Sequence, residues 1–195
     1  MIATHNTYTY QKALNKLFEV FHCFWRCQDL AIKDQYERGV RYFDIRVHRK
    51  KDDNWGVCHG LVNVYGGFSD LKMLYQVVRL HFPGAMCRII LEKGSKKDEE
   101  IFRKELDRLR EEFKDFGEIV HQCIIKKTWK VLYAGKDLKI VDYCYTPILS
   151  GKSLWYNITH FKLSTIKRWA KKHNPIITQK MKEDPDTVYF LDFMK

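Results

Sequence analysis

Two histidines and one charged pair have the side-chain types needed to move protons and to bind a phosphate. His5 and Asn6 lie near the start of the sequence, and His59 ends a short apolar run that a glycine follows. Between them, Asp44 and Arg46 are two positions apart, so both emerge on one face of an extended strand. Histidine gains or loses a proton near neutral pH, and arginine contacts phosphate oxygens through a planar set of donors. These residues indicate acid-base chemistry at a phosphate, and an ordinary ion pair with two structural histidines is the alternative.

The segments that would position these side chains alternate between strands and helices. Strand-like runs with a charged residue near the carboxyl end cover 41–47, 86–93, 138–143 and 187–193. Helical periodicity covers 71–82 and 102–113, and residues 2–5 predict a short first strand that ends at His5. Such alternation is typical of β/α units around a mostly parallel sheet.

In a closed barrel of β/α units, functional residues collect at the carboxyl ends of the strands. The charged residues that fall there are Asp44, Arg46, Glu92, Lys93, Asp142 and Asp192. A complete barrel of this type takes ~250 residues, whereas this chain has 195. We therefore predict one α/β domain over residues 1–195, folded as a small, distorted or incomplete TIM-type (β/α) barrel.

The charge of the chain predicts an anionic partner. A formal net charge of +11 suits either nucleic acid or a phospholipid surface. The basic segment 161–182 has seven lysines and arginines and no acid, and with Leu163 and Trp169 it could lie on an anionic membrane. A solvated helix face is the alternative. Because no nucleic-acid-binding motif accompanies the charge, a nucleic-acid partner is not expected.

The sequence favours a cytoplasmic protein that associates with membranes only peripherally. No apolar stretch approaches the ~20 residues that span a bilayer, and the first thirty residues lack the features of a signal peptide. The six cysteines are scattered and are expected to be reduced. Cys23 and Cys27 are one helical turn apart, but no second pair completes a zinc site.

Three stretches together resemble a known family. They are THNT at residues 4–7, GVRYFDIRV at 39–47 and WGVCHGL at 55–61. In order and spacing they are similar to the X-domain of phosphatidylinositol-specific phospholipase C. The resemblance implies a distorted, incomplete β/α barrel that cleaves the phosphodiester of an inositol phospholipid.

The resemblance also implies roles for the residues. His5 matches the general base that acts on the inositol 2-hydroxyl, and His59 matches the acid that protonates the departing diacylglycerol oxygen. Asp192 is similar to the carboxylate that orients the base in bacterial members. Arg46 can supply positive charge to the phosphate oxygens.

Four further residues fall where the family places metal-binding or inositol-binding side chains. Glu92, Lys93 and Asp142 end two of the predicted strands, and Tyr143 could cover a sugar ring. Strand-end ion pairs and a core tyrosine are the alternative interpretation of these four residues.

The sequence combines features of two branches of the family. Bacterial, metal-independent members follow the first histidine with aspartate and carry arginine where Arg46 stands. Eukaryotic, calcium-dependent members have asparagine after that histidine, as at Asn6, and a glutamate where Glu92 stands. Arg46 would repel a cation, so we predict a metal-independent site without a cofactor. A calcium site of Asn6, Asp44 and Glu92 is the less favoured alternative, and Asn6 supports an imidazolium at His59 less well than a carboxylate would.

Two other functions stay open at this stage. The chain could be a catalytically inactive module that binds anionic lipid through its basic surface. It could also be a phosphodiesterase that acts on another lipid. In each case the predicted partner is phosphatidylinositol or a related anionic phospholipid.

Overall fold

The computed structural model describes residues 1–22, 25–142 and 166–193. In these residues nine strands form one sheet: β1 Ile2–Thr4, β2 Val40–Arg49, β3 Trp55–His59, β4 Val62–Phe68, β5 Met86–Lys93, β6 Val120–Ile125, β7 Lys130–Ala134, β8 Ile140–Asp142 and β9 Val188–Leu191. The helices are α1 Lys16–Val20, α2 Ile32–Glu37, α3 Leu71–His81, α4 Lys96–Glu112, α5 Phe116–Ile119 and α6 Ile166–Glu183, and a 3-10 turn covers Thr7–Tyr10.

The sheet is a parallel half-barrel with antiparallel additions. The order β8-β9-β1-β2-β5-β6 is parallel throughout, and β7 lies antiparallel on the outer edge of β6. The hairpin of β3 and β4 extends from the carboxyl end of β2. Within the described ranges no pairing joins β7 to β8, so the sheet curls without closing. The predicted incomplete barrel is therefore confirmed.

The outer face of the sheet is apolar because every second strand residue packs under the helices. On β2 these residues are Phe43, Ile45 and Val47, which belong to the main core together with residues of α3 and α4. The apolar positions of both helices recur at helical spacing, and Ser95 begins α4 with a capping box. Helices predicted at 71–82 and 102–113 are thus confirmed, and the second starts at Lys96.

The inner face changes from apolar to charged along the strands. Ala3, Tyr42, Val188 and Phe190 pack together as the floor of the half-barrel. Two residues further along three of these strands stand His5, Asp44 and Asp192, because alternate residues of a strand share a face. The polar groups therefore collect at the carboxyl ends of the parallel strands, as the sequence predicted.

Some predicted segments differ in extent or lie outside the described ranges. The strand predicted at 138–143 covers only Ile140–Asp142. Of the basic segment 161–182, only the part from Ile166 onward is described, as α6. Tyr143, Cys23, Cys144 and Leu163 lie outside the described residues. The described cysteines, Cys27, Cys58, Cys87 and Cys123, are free and buried, as expected for reduced thiols.

Nowhere in the described part of the chain is a helix both long enough and apolar enough to cross a membrane.

Candidate active site

His5 lies directly after β1, between the carboxylate of Asp192 and the guanidinium of Arg46. Its Nδ1 is 2.9 Å from Oδ1 of Asp192, and its Nε2 is 2.7 Å from Nη2 of Arg46. Arginine can only donate, so Nε2 accepts this bond and the ring proton resides on Nδ1, which donates to Asp192. The contacts select the neutral tautomer whose lone pair is on Nε2. An imidazole in this state can accept a proton at Nε2.

Asp44 is a fully buried anion that anchors the site. Its Oδ1 accepts from Nε of Arg88 at 2.8 Å, and its Oδ2 accepts from Nε of Arg46 at 3.2 Å and from the backbone N–H of Asn6 at 3.1 Å. Burial alone would raise the pKa of Asp44, but Arg88, Arg46 and His5 outweigh burial and hold it well below its usual range. Asp44 therefore fixes Arg46 and the backbone beside His5.

Glu92 fixes the other side of the Arg46 guanidinium. Its Oε2 accepts from Nη1 of Arg46 at 3.2 Å, and its Oε1 accepts from Nζ of Lys126 at 2.7 Å and from the N–H of Gly60 at 3.0 Å. Burial opposes ionisation, yet Arg46 and Lys126 lower the pKa of Glu92 below its ordinary value. Arg46 thus spans Asp44, Glu92 and His5 with one rigid group.

Among the described side chains Asn6 contacts His5 and Cys27, and no hydrogen bond joins it to His59. Asn6 has a left-handed backbone, with φ of 49°, and is buried. Its Nδ2 is 2.9 Å from Nε2 of His5 and 3.7 Å from Sγ of Cys27. Its Oδ1 is buried and has no hydrogen-bond partner among the described residues.

His59 ends β3 and lies across the site from His5. The two ring centroids are 5.9 Å apart and the rings meet edge to face at 79°. The Nδ1–H of His59 donates to the carbonyl of Trp25 at 2.6 Å, so its Nε2 is the nitrogen that can carry an exchangeable proton. Burial, His5 and Arg46 lower the pKa of His59 to about 4. A bound anion at this place would raise that pKa.

The remaining predicted residues lie at the rim. Nζ of Lys93 donates to the carbonyl of Leu61 at 3.2 Å, and Asp142 is 3.6 Å from Nη2 of Arg88. Neither contacts the histidines in the described residues, and Tyr143 lies outside the described ranges. The structure therefore brings His5, Asn6, Asp44, Arg46, His59, Glu92 and Asp192 together and leaves Lys93 and Asp142 at the edge.

Comparison with known proteins gives a fold. No family model matches the sequence, and no curated protein matches it. Among solved structures, phosphatidylinositol-specific phospholipase C from Listeria monocytogenes superposes with a TM-score of 0.65 at 15% identity, over 100% of this chain and 88% of that chain. A structure of the Staphylococcus aureus enzyme gives 0.62 at 15% identity, over 99% and 85%. The chain has the fold of bacterial phosphatidylinositol-specific phospholipase C. The resemblance found in the sequence is confirmed for the fold.

Four residues of this phospholipase C fold were not found from the sequence as parts of the site. They are Trp25, Cys27, Arg88 and Lys126. Arg88 had a signal, because it is a charged residue inside an apolar strand and stands opposite Asp44 in the register of β2 and β5. Trp25 and Cys27 come from a loop without periodicity, so nothing in the sequence placed them near the histidines.

The carboxylates of the candidate site do not fit a calcium ion. Calcium takes 6–8 oxygen ligands in proteins. The acids that could supply them, Asp44 and Glu92, each accept from Arg46, and Arg88 and Lys126 take up their other oxygens. The guanidinium of Arg46 lies between the two acids that the calcium alternative requires.

Proposed function

We propose that this chain cleaves the phosphodiester of phosphatidylinositol, with His5 as general base and His59 as general acid. The observation that carries the proposal is the state of His5. Asp192 accepts a hydrogen bond from Nδ1–H of His5, and the Nε2 lone pair of His5 faces the guanidinium of Arg46. The ring centroids of His5 and His59 are 5.9 Å apart. A base, an acid and a phosphate-binding cation are thus collected in one place.

The proposed reaction transfers the phosphoryl group within the substrate. The inositol 2-hydroxyl gives its proton to Nε2 of His5, and its oxygen forms a bond to phosphorus. The bond from phosphorus to the diacylglycerol oxygen breaks, and His59 protonates that oxygen. The products are diacylglycerol and cyclic inositol phosphate. An internal nucleophile benefits from proximity, which is worth up to ~7–11 kcal/mol in well-oriented intramolecular reactions.

Arg46 would change partners when substrate binds. In the free protein its Nη2 donates to Nε2 of His5 and so occupies the lone pair. A phosphodiester anion competes for the same donors, since charge-assisted bonds from arginine to phosphate are strong and directional. Transfer of Nη2 to the phosphate, together with a turn of the Asn6 amide away from the same nitrogen, frees His5 to act as base. Asp44 and Glu92 keep the guanidinium plane in position during this exchange.

The phosphate would also prepare the acid. In the free protein the pKa of His59 is about 4, because burial, the largest cause, and the neighbouring His5 and Arg46 oppose its protonated form. A phosphodiester between the rings brings negative charge and raises this pKa toward the range in which His59 can donate. The Trp25 carbonyl keeps Nδ1–H engaged, so the transferable proton is on Nε2.

We propose that the reaction needs no metal. The positive charge that a phosphorane requires is supplied by Arg46, which its ion pairs with Asp44 and Glu92 hold in place. The engagement of both acids by Arg88 and Lys126 supports this proposal.

A lipid substrate requires contact with a membrane surface, and several exposed apolar side chains lie near the hairpin that carries His59. Leu17 of α1 is 62% exposed, Val20 is 72% exposed and Leu61 is 82% exposed. Leu14, just before α1, donates its N–H to the Asn63 carbonyl of β4 at 2.9 Å. This contact places α1 beside the hairpin that carries His59. We propose that these side chains enter the lipid surface above the site.

The experiment that tests the function uses the purified full chain and vesicles. Phosphatidylinositol vesicles are incubated with the protein, and cyclic inositol phosphate is followed by phosphorus NMR. Formation of the cyclic product supports the proposal. A catalytically inactive lipid-binding module would bind the vesicles and yield no product. Vesicles of phosphatidylcholine or phosphatidylglycerol, assayed in parallel, detect a phosphodiesterase for another lipid.

A further inference from the structure

Cys27 is a buried thiol at the centre of the site that the proposed reaction does not use. It is 1% exposed, and its Sγ lies 3.7 Å from Nδ2 of Asn6 and 3.8 Å from Nδ1 of His59. Its backbone is fixed at both ends, since its N–H donates to Oγ1 of Thr9 at 3.0 Å and its carbonyl accepts from the N–H of Phe193 at 2.6 Å. The position of the sulfur is therefore set by the fold.

Around this sulfur the fold assembles three different metal-ligating groups. A ring nitrogen of His5, Sγ of Cys27 and a carboxylate oxygen of Asp192 all lie within 4.8 Å of one another, and all three residues are buried. Nitrogen, thiolate and carboxylate are the ligands that Zn²⁺ binds in tetrahedral sites, at distances of ~2.0–2.3 Å. Those bond lengths put neighbouring ligand atoms ~3.3–3.8 Å apart. Nδ1 of His5 and Oδ1 of Asp192 are already 2.9 Å apart and would separate slightly, while Cys27 would approach them by about 1 Å.

The side chain of Asn6 is a second, independent indication that an ion binds here. The residue is 2% exposed, and its Oδ1 has no hydrogen-bond partner in the described part of the chain. The other end of the same amide reaches His5 and Cys27. Rotation of the amide by half a turn would direct the unpartnered oxygen at these two groups.

We propose that His5, Cys27 and Asp192 form a binding site for Zn²⁺ or another soft divalent cation, with the amide oxygen of Asn6 as the fourth ligand. Asp192 and the Cys27 thiolate together balance the two positive charges of the ion. Arg46 and its positive charge lie on the Nε2 side of His5, so the ion enters on the Nδ1 side, where Asp192 lies. The site shares only Asn6 with the calcium alternative, whose other ligands would be Asp44 and Glu92.

The ion would inhibit the reaction, and this part rests on the proposed function. On binding, the Cys27 thiol releases its proton to solvent, and the Nδ1 proton of His5 moves to Nε2. The Nε2–H then faces the Nη2 donor of Arg46, and the bond between them is lost. With Nδ1 on the metal and Nε2 protonated, His5 has no lone pair left to accept the inositol proton.

The binding test needs no substrate. The reduced full chain is titrated with Cd²⁺, whose bond to sulfur absorbs in the ultraviolet, and Zn²⁺ is then added as competitor. We expect one equivalent of Cd²⁺ to produce the absorption and Zn²⁺ to remove it. Cys27→Ala should lose the absorption, and the matched variant Cys58→Ala, which removes another buried thiol, should keep it. Asp192→Asn should weaken the apparent affinity at least ~10-fold, since ligand sets in metal sites act together.

Three results would contradict the proposed metal site. These are equal absorption in wild type and Cys27→Ala, no absorption in wild type at millimolar Cd²⁺, or unchanged affinity in Asp192→Asn. Folding of each variant is checked by circular dichroism, and Cys27→Ser replaces Cys27→Ala if the latter unfolds. Zn²⁺ should also raise the thermal unfolding midpoint of wild type but not that of the Cys27 variant.

A second experiment tests whether metal binding at this site inhibits lipid cleavage. Zn²⁺ should lower the rate of phosphatidylinositol cleavage by wild type and change the rate of the Cys27 variant much less, each compared with its own zinc-free rate. Equal inhibition of both would overturn inhibition through this site. A chain that binds Cd²⁺ through Cys27 and cleaves no lipid would retain the metal site and lose the proposed function.

Discussion

Arg46 contacts three groups of the site at once: Asp44 through Nε, Glu92 through Nη1 and His5 through Nη2. Each contact uses a different nitrogen of the planar guanidinium, so the group has one orientation that satisfies all three. Lysine has a single point of charge on a flexible stem, and its three donors share one nitrogen, so they cannot reach three separated partners as the planar guanidinium does. The geometry of the site therefore depends on the shape of arginine as well as on its charge.

We expect Arg46→Lys to lower turnover of phosphatidylinositol at least ~100-fold, the range found when one donor to a transition-state oxyanion is removed. Initial rates of wild type and variant are compared in EDTA and in millimolar calcium. Wild type should keep its activity in EDTA and gain little from calcium. Loss of wild-type activity in EDTA, restored by calcium, would contradict both the metal independence and the role of Arg46.

His5→Ala and His59→Ala should each lower turnover at least ~100-fold, the lower range for general acid-base catalysis. A leaving-group comparison separates the two roles. An inositol phosphodiester with an activated phenolic leaving group needs little protonation as that group departs, so this substrate should restore the rate of His59→Ala more than that of His5→Ala. Equal restoration of both variants would argue against the assignment of base and acid.

At the scale of single elements, α1 carries apolar residues that face solvent at the mouth of the site. We expect Leu17→Ser combined with Val20→Ser to weaken binding to phosphatidylinositol vesicles several-fold, because each exposed side chain loses its transfer into the lipid. Hydrolysis of a soluble inositol phosphodiester should stay nearly unchanged. Leu80→Ser is the control, since Leu80 is 69% exposed but lies at the far end of α3, away from the site. Equal loss of vesicle binding in the control would remove α1 from the membrane contact.

The first half of α6 offers a second test at this scale. Lys171 and Lys172 are exposed near its start, and Lys180 and Lys182 lie in its last turn. Reversal of charge at Lys171 and Lys172 should weaken binding to anionic vesicles by about tenfold or more, since each basic residue near the surface contributes ~1 kcal/mol. The same change at Lys180 and Lys182 should have a smaller effect. If neither pair matters, α6 is a solvated helix face.

The sequence predicted the elements whose periodicity is strong and missed those without it. The apolar stripes of α3 and α4 and the apolar runs of β2, β5 and β9 were found because one face of each is buried. The charged residues at the carboxyl ends of those strands then allowed most of the site to be predicted. The strand β7 was not predicted, because its residues are partly exposed and give no clear alternation.

Trp25 and Cys27, in the loop before α2, could not be assigned to the site from the sequence. The support of His59 by the Trp25 carbonyl is a backbone contact, which is independent of the side chain at that position. The position of Cys27 depends on bonds from its own backbone to Thr9 and Phe193, residues remote in sequence. Such contacts follow from the tertiary fold and not from any local pattern.

For the whole molecule, the buried polar layer makes stability depend on pH. His121 is 3% exposed below the charged layer. Its Nδ1 accepts from the hydroxyl of Tyr42 at 2.6 Å, and its Nε2–H donates to the carbonyl of Lys136 at 2.8 Å. Both contacts suit the neutral ring. Burial, the main cause, together with the charge of Arg88 lowers the pKa of His121 below its ordinary value.

A histidine whose folded pKa is lowered stabilises the fold at pH values above its unfolded pKa of ~6.5, and this contribution is lost as pH falls below that value. We therefore expect the thermal unfolding midpoint to fall between pH 7.5 and pH 5.5, values of about one unit on either side of that pKa. His121→Gln should reduce this fall, and the exposed-site control His81→Gln should not. A fall of equal size in wild type and His121→Gln would contradict the assignment.

The pairing of β1 with β9 joins residues from opposite ends of the described chain. Ile2 lies opposite Tyr189 and Thr4 lies opposite Leu191, and the N–H of His5 donates to the Leu191 carbonyl at 3.1 Å. During synthesis on the ribosome, β1 is made before β9, and all the strands from β2 to β8 are made between them. His5 then meets Asp192 only when translation has passed residue 192. A product that terminates before residue 192 would therefore contain His5 without the carboxylate that accepts its Nδ1–H.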